Sequence, residues 1–363
     1  MKIGCKSWVS GIHLPRIVPT KQRIAHQASS LYFISQTPQF CQQRKTMTPR
    51  PVTASTHQFS TSVNAAAPST SSSLLICGPG VLGSYLAKLW LDEYGPGTVT
   101  GQTNTTNNHP ALSAIGVSCR TKDDAAASTS PPGTTKATFP NVVYSAPPSG
   151  STDYAADVSE ALTWWDKTGA FVFTSSAGVY SIEDGSACDE SAPVVPLGSN
   201  PRTDAILRAE QAVLDAGGCV VRLVGLYHRT RGAHTFFIKQ GQVERWGGYT
   251  VNLIHYEDAA ALVHAVLQAS PRSEVFLGCD NAPVTFQDMM DAIQASGELP
   301  GVVTFTGKES AAKGKRMNNN KTRERLGWAP KYGDGIQAFF TELGGKDYYY
   351  YQQEKVPSGA PHV

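Results

Sequence analysis

The feature that most restricts this chain is the hexapeptide Gly78-Pro79-Gly80-Val81-Leu82-Gly83, which follows the apolar run Leu74-Leu75-Ile76-Cys77 and leads into the helix-like stretch Ser84 to Trp90. A G-x-G-x-x-G pattern alone is a weak signal, because glycines are common in loops. Between a strand and a helix it acquires a mechanism. Gly78 permits the tight turn, Gly80 lets a pyrophosphate approach the backbone, and Gly83 lets the helix pack on the strand. The first-turn amides, those of Val81 and Leu82 included, then face the anion. The segment predicts a strand-turn-helix unit that holds a dinucleotide; a tight turn without a ligand is the plainer alternative.

The rhythm continues. Thr98-Val99-Thr100, Val142-Val143-Tyr144, Phe171-Val172-Phe173 and Val220-Val221-Arg222-Leu223 read as strands, with helical stretches at 154–165 and 206–214 between them. Strands alternating with helices predict an α/β fold class: a Rossmann-type doubly wound parallel sheet with a small C-terminal substrate lobe. Residues 74–227 make the dinucleotide-binding core. Residues 228–343 supply the remaining core elements and the lobe, with a strand at 251–254 and helices at 258–268, 285–295 and 321–326. Thr285-x-x-Asp288 opens the second of these helices, and Gly327 stops the third. Residues 344–363, with Tyr348 to Tyr351 and a Pro/Gly end, read as a disordered tail. No internal repeat is present.

Charge separates a leader from this body. The whole chain carries a net +2, yet eight Lys or Arg (Lys2, Lys6, Arg16, Lys21, Arg23, Arg44, Lys45 and Arg50) precede the first acid, Asp92. Residues 1–73 hold 20 Ser or Thr and no carboxylate; setting aside their 8 bases leaves 23 of 31 against 29 acids, a net of −6 for the body. An acid-free, basic, Ser/Thr-rich leader has the composition of a transit peptide followed by a linker. The plastid stroma is the favoured destination and the mitochondrial matrix the alternative. A cytosolic tail is the plainer reading, with Met47 able to start a shorter one. A mildly acidic body lacks the footprint of a general nucleic-acid binder, and no window approaches eighteen consecutive apolar residues, which argues against a membrane span. Cys77, Cys119, Cys188, Cys219 and Cys279 show no C-x-x-C spacing and read as free thiols.

The end of the second strand bears on the choice of cofactor. In a dinucleotide fold an acid there accepts hydrogen bonds from the adenosine ribose. Here the strand runs into Gly101-Gln102-Thr103-Asn104 without Asp or Glu. A carboxylate would repel a 2′-phosphate, so its absence favours NADP over NAD modestly, with Gln102 and Thr103 as cofactor contacts. The nearest bases are Arg120 and Lys122.

The fifth strand leads into Phe173-Thr174-Ser175-Ser176-Ala177-Gly178-Val179-Tyr180, and here the chain resembles the extended short-chain dehydrogenase/reductases, with their S-S-x-x-V-Y segment. The likeness continues through Asp189 to Pro193, Pro201, Glu210, Val221 to Leu223, Gly225, Tyr227, His255 and Asp258. In Phe236-Phe237, Gly248 to Asp258, Lys313 to Arg316 and Leu326-Gly327-Trp328 it is similar to the atypical YeeZ-type branch of NAD-dependent epimerase/dehydratase relatives. The resemblance implies that Ser176 is the active-site hydroxyl. It also implies a Tyr-x-x-x-Lys pair on the following helix, where the Lys lowers the Tyr pKa for proton transfer. With the register fixed on Pro201 and Glu210, Arg202 and Ile206 occupy those positions. No Tyr lies between Tyr180 and Tyr227, and no Lys either.

Three residue types could compensate: Tyr180 as an acid, His228 or His234 as a proton carrier, and Arg202, Arg229 and Arg231 as a clamp on an anionic substrate. Arg231 is the best of the arginines by the resemblance, and His255 reads as a structural hydrogen-bonding residue. Lys313 to Arg316 reads as a solvated connection, which the resemblance implies closes the lobe over the cleft. The histidines and cysteines show no zinc spacing, so no metal is expected, and Ser176 lacks the partners of a hydrolase. Two functions compete: a dinucleotide-binding protein with non-standard or no hydride transfer, and an NADP-dependent reductase or epimerase of a small anionic or sugar-derived substrate using Ser176. A plastid RNA-binding relative is a third, disfavoured by the acidic body. A homodimer stays open.

Overall fold

The structure, a computed structural model, describes residues 72–127 and 137–347. The leader expected at 1–73 lies outside these residues up to position 71, and the tail expected at 344–363 lies outside them from position 348. The described residues all belong to one compact unit.

The glycine segment joins β1 (Leu74–Cys77), buried along its whole length, to α1 (Val81–Tyr94). There follow β2 (Val99–Thr103), α2 (His109–Ala114), β3 (Ser118–Thr121), α3 (Lys122–Ala127) and β4 (Asn141–Tyr144). Next come α4 (Tyr154–Leu162), β5 (Phe171–Ser176), β6 (Asp184–Cys188), α5 (Pro201–Asp215) and β7 (Cys219–Leu223). Asp153 caps α4 by accepting from Ala156 N–H. Asn200 caps α5, and Pro201 stands in its first turn, where a missing N–H costs nothing. The C-terminal part holds β8 (Gly225–Tyr227), α6 (Ala233–Gln240), β9 (Gln242–Val243), β10 (Thr250–Val251), β11 (Leu253–His255) and α7 (Tyr256–Ala269). It ends with β12 (Val275–Gly278), β13 (Val284–Thr285), α8 (Phe286–Ser296), β14 (Thr304–Phe305), β15 (Gly314–Met317), α9 (Asn320–Leu326) and α10 (Gly335–Thr341). Thr285 accepts from Asp288 N–H to cap α8, and Gly327 ends α9 in the left-handed conformation, both as the sequence predicts.

Seven strands form one parallel sheet in the order β12-β7-β5-β4-β1-β2-β3, the Rossmann-type arrangement expected. Strand order reverses beside β1, whose Cys77 is aligned with Gln102 on one side and Tyr144 on the other. This is the point where a ligand enters a doubly wound sheet. Successive side chains of a strand alternate between faces. Leu74 and Ile76 join one apolar layer with Leu86, Val172 and Val263, and Leu75 and Cys77 join the other with Phe171, Phe173 and Val213. At roughly 25 cal/mol per Å² of apolar surface these two layers are the main source of stability.

The lobe has its own apolar cluster, including Phe237, Phe286, Met290 and Phe339, and a four-stranded sheet in the order β13-β10-β15-β6. Two expectations change here. Lys313 to Arg316 is not a solvated connection: β15 lies between β10 and β6, and Lys315 is buried with its Nζ 2.8 Å from Glu183 Oε1. Tyr249 donates to the other oxygen of the same carboxylate, so the ammonium enters the lobe neutralised. A short strand with a glycine and two bases carries no apolar alternation to announce it. Residues 344–347, read from the sequence as the start of the tail, are also tied into the fold. Asp347 is buried and accepts from Tyr85 Oη at 3.2 Å, with His255 Nε2 at 3.0 Å from the same oxygen.

Candidate functional site

Gly78 and Gly83 take the turn and packing roles that their spacing predicts. Gly78 has φ +78°, and a Cβ there would stand 2.6 Å from the backbone of Ala146 at the exit of β4. Only glycine fits that turn. A Cβ on Gly83 would stand 3.2 Å from Ile76, which sets the close packing of α1 on β1. At Gly80 a Cβ would meet nothing within 4 Å, so this backbone faces open space. The helix bonds begin with Ser84 N–H to Gly80 O at 2.9 Å, Gly80 offers no side-chain cap, and no acid stands in the first turn. The amides of Val81, Leu82 and Gly83 are thus left for an external acceptor at the positive end of a 14-residue helix. The loop fits a diphosphate.

Gly78 N–H donates to Gln102 O, and Ser145 Oγ donates to Gly78 O, each at 2.8 Å, so the loop is tied to the ends of β2 and β4. At the end of β2, Thr103 Oγ1 donates to Thr105 O at 2.8 Å and lies 2.7 Å from His109 Nε2. Gln102 is buried, and its side chain is taken by Arg120 Nε at 3.0 Å. Arg120 stacks over Trp164, 4.3 Å from the ring centroid, and Lys122 is paired with Asp157 and Glu160. Neither base faces the loop after β2, and Gln102 contributes through its carbonyl rather than its amide.

At the end of β5 two adjacent serines part company. Ser175 turns inward and donates to Glu210 Oε1 at 2.5 Å, while Arg222 takes both oxygens of that carboxylate at 3.1 and 2.7 Å. Ser176, half-buried, begins a short 3₁₀ turn and accepts from Gly178 N–H at 3.1 Å, which leaves its own proton for another acceptor. Tyr180 is 1% exposed, with Arg222 4.8 Å from its ring centroid; burial pushes its phenol up to about 12. It is scaffold under the loop, not an acid. Sequence reasoning treated Glu210 and Arg222 only as markers of likeness; the signal for their pairing was a charged residue inside the apolar run of β7.

α5 carries neither Tyr nor Lys. Arg202 is exposed in its first turn, whereas Ile206 is 8% exposed and packs in the layer with Tyr144, Phe173 and Val179. The two positions therefore face different surroundings, one solvent and one core.

The loop after β8 scatters the residues that its polarity grouped. Arg229 is bonded to Glu298 at 2.9 Å and to the Gly344 carbonyl, so it holds the lobe together and clamps no substrate. His234 is fully buried, with Nε2 3.0 Å from Arg229 O, and cannot carry protons to a cleft. His228 accepts from Thr230 N–H at 3.3 Å; burial pushes its imidazole down to about 4, so it is neutral at pH 7. Arg231 stays exposed, and its Nε donates to Tyr256 Oη at 3.0 Å. Tyr256 stacks on Tyr85 of α1, with ring centroids 6.1 Å apart. Of the three arginines, Arg231 alone is linked to α1, through Tyr256 and Tyr85. His255 is structural, as expected: its Nδ1 accepts from Glu257 N–H and its Nε2 meets Asp347.

Among the described residues no group of three or more His, Cys, Asp or Glu is placed to hold a metal, and no helix is long and apolar enough to cross a membrane. Neither a protein-family model nor a curated protein matches the chain. Solved structures do match in fold. A functionally unknown conserved protein from Silicibacter pomeroyi is 23% identical, covers 76% of this chain and 99% of its own, and has a TM-score of 0.58. UDP-glucose 4-epimerase from Thermotoga maritima, solved with UDP-glucose, is 14% identical over 78% of this chain and 99% of its own, at 0.57. UDP-glucuronic acid 4-epimerase from Bacillus cereus, solved with NAD, is 17% identical over 78% and 100%, at 0.58. At these identities the likeness is one of fold.

Proposed function

We propose that this chain is an NAD(P)-binding protein of the epimerase/dehydratase superfamily, of the YeeZ-type branch, that prefers NADP(H) and performs no standard hydride transfer. The carrying observation is α5: the helix that would bear the Tyr-x-x-x-Lys pair has neither residue, and Ile206 at the Lys position is packed into the core. An Arg at the Tyr position stays protonated near neutrality and cannot serve as a base. The dinucleotide, when bound, supplies a hydride donor or acceptor. The chain's own part is to hold it: first-turn amides of α1 on the diphosphate, Gly80 for close approach, and an acid-free β2 end toward the adenosine ribose. Such a protein uses the cofactor as a structural part or as a sensor of redox state. The acid-free leader supports import into a plastid, which a fusion of residues 1–73 to a fluorescent reporter tests.

One observation favours a second reading. Ser176 accepts from Gly178 N–H and keeps its hydroxyl proton to offer, so it can polarise a carbonyl held beside the nicotinamide. The substrate is then small and anionic or sugar-derived, a nucleotide sugar being the class that the epimerase neighbours act on. Arg231 is the cation placed to meet its negative charge.

Titrating the purified full chain into NADPH and following the cofactor's fluorescence tests the first reading. Saturable binding that Gly80→Ala weakens at least tenfold is the expected result, and no response to NADPH or NADH overturns it. NADPH consumption is then followed against carbonyl compounds and nucleotide sugars. Turnover that vanishes in Ser176→Ala replaces the first reading with the second.

A further inference from the structure

We propose that residues 342–347 form a strap that latches the lobe onto the cofactor-binding helix through Asp347, and that a seated strap and a bound dinucleotide each tighten the other. The inference rests on the dinucleotide reading above and adds to it the element whose docking is coupled to the cofactor.

The strap leaves α10 in the lobe. Glu342 N–H still donates to Ala338 O at 2.9 Å, and Gly344 and Gly345 then turn the chain with φ of +61° and +65°. Arg229 donates to the Gly344 carbonyl while it holds Glu298, and a Cβ on Gly345 would stand 2.9 Å from the same guanidinium. Gly345 N–H donates to Phe339 O at 2.9 Å and Lys346 N–H to Leu343 O at 3.2 Å. Asp347 then reaches the core. Tyr85 Oη, on α1, donates to Asp347 Oδ2 at 3.2 Å. Because His255 Nδ1 accepts from Glu257 N–H, the neutral imidazole carries its proton on Nε2 and donates it to that same oxygen at 3.0 Å. Tyr85, His255 and Asp347 are all buried.

The latch lies close to the diphosphate cradle. Tyr85 stands four residues after Val81, about 6 Å along α1 from the helix start. Its ring stacks on Tyr256, whose hydroxyl accepts from Arg231, so one carboxylate oxygen steadies the cofactor helix and, through two rings, an exposed arginine. Gly83 seats the same end of α1 on β1. With Asp347 withdrawn, Tyr85 Oη and His255 Nε2 lose this acceptor inside the fold, and the cradle loses one of the supports that pre-organise it. A segment held by separate bonds rather than by a ladder opens locally more readily than the sheet. A ligand that favours the seated form must then hold the strap seated by the same factor.

The test uses the full chain as wild type, Asp347→Ala, Asp347→Asn, Tyr85→Phe, the double variant Tyr85→Phe with Asp347→Ala, and Val213→Ala. Val213 is a core residue of α5, in the apolar layer on the opposite face of the sheet from Tyr85. Calorimetry gives the dissociation constants of NADPH and NADH, and hydrogen exchange read by mass spectrometry follows residues 342–347 with and without NADPH. Saturating NADPH is expected to slow exchange at the Gly345 and Lys346 amides of wild type about tenfold, and Asp347→Ala to weaken NADPH and NADH alike by about the same factor. Tyr85→Phe keeps the ring and should lose part of that affinity. The double variant should bind no more weakly than Asp347→Ala, since both changes break one contact. Asp347→Asn keeps an oxygen for the two donors and should retain most of the affinity. Val213→Ala should melt earlier with affinity unchanged, which separates the coupling from a general loss of stability. Wild-type affinity in Asp347→Ala, or exchange at 342–347 indifferent to NADPH, overturns the inference. If Asp347→Ala does not fold, Tyr85→Phe and wild-type exchange decide it by the same criteria. Wild type that binds neither cofactor fails the dinucleotide reading and the coupling together, whereas binding without these responses strikes the coupling alone.

Discussion

Ser175 and Glu210 share a 2.5 Å hydrogen bond beneath the C-terminal end of β5, and Arg222 closes the other side of the same carboxylate. The sheet and α5 are thereby joined through one buried charge pair, directly under Ser176. Removing Glu210 leaves the Arg222 guanidinium buried without its counter-charge. Breaking such a pair costs about 3–5 kcal/mol, so Glu210→Ala should lower the urea midpoint strongly, while Glu210→Leu with Arg222→Met should recover most of the loss. A midpoint within experimental error of wild type for Glu210→Ala contradicts the pairing.

The two leading glycines separate folding from binding. Gly78→Ala is strained by its positive φ and by the 2.6 Å approach to Ala146, and should destabilise the chain by more than about 1 kcal/mol. Gly80→Ala meets no atom of the protein. It should leave the melting temperature close to wild type yet weaken cofactor affinity at least tenfold, read by calorimetry. Equal affinities for wild type and Gly80→Ala contradict the cradle.

Asp280 couples stability to pH. It is 1% exposed, and burial pushes its carboxyl up to about 8 despite the Ala282 amide on one oxygen. A raised folded pKa means that the folded state keeps a proton the unfolded chain has released. Its stabilising contribution is complete below about pH 4 and is lost as pH rises toward 8. Asp280→Asn removes that slope, so its advantage over wild type in denaturant should grow from pH 4 to pH 8 and then level off. A constant difference across that range counts against the buried neutral acid.

His228 has the opposite linkage. Burial holds its folded pKa at about 4, so the neutral ring's contribution is present above about pH 6.5 and is lost as pH falls toward 4. Its carbon-bound ring protons, followed by NMR, should show no titration between pH 5.5 and 8. A midpoint near 6.5 would restore His228 as a proton carrier.

Ile206→Lys tests whether the usual pair can be regained by substitution. The site lies against Tyr144 and Phe173, where an ammonium loses its hydration, so the variant should melt several degrees below wild type and, with Arg202→Tyr added, gain no reductase activity. A stable double variant that turns over NADPH would show that the position opens to the cleft after all.

Much of the fold was legible in local spacing. The G-x-G-x-x-G segment fixes a strand, a turn and a helix because each glycine answers a local constraint: a positive φ at Gly78, close packing at Gly83. Thr285 and Gly327 mark helix ends for the same reason, since caps depend on neighbours three or four residues away. The absence of Tyr and Lys from α5 is also plain in the sequence, and it shapes the functional reading more than any residue that is present.

Partners were not legible. The sequence offered Arg120 as a base near the cofactor, Arg229 as part of an anion clamp and Lys315 as part of a solvated connection, yet one stacks on Trp164, one ties Glu298 to Gly344 and one neutralises Glu183 inside a sheet. Asp347 lies 92 residues from His255 and 262 from Tyr85. Backbone periodicity and caps are decided within a turn or two of chain, so the amino-acid sequence by itself determined the strands, the glycine loop and the vacancy on α5. Which charge meets which depends on segments that only the folded sheet brings together, and the tertiary structure alone decided that Arg120 reaches Gln102 and Trp164 while Lys122 pairs with Asp157 and Glu160.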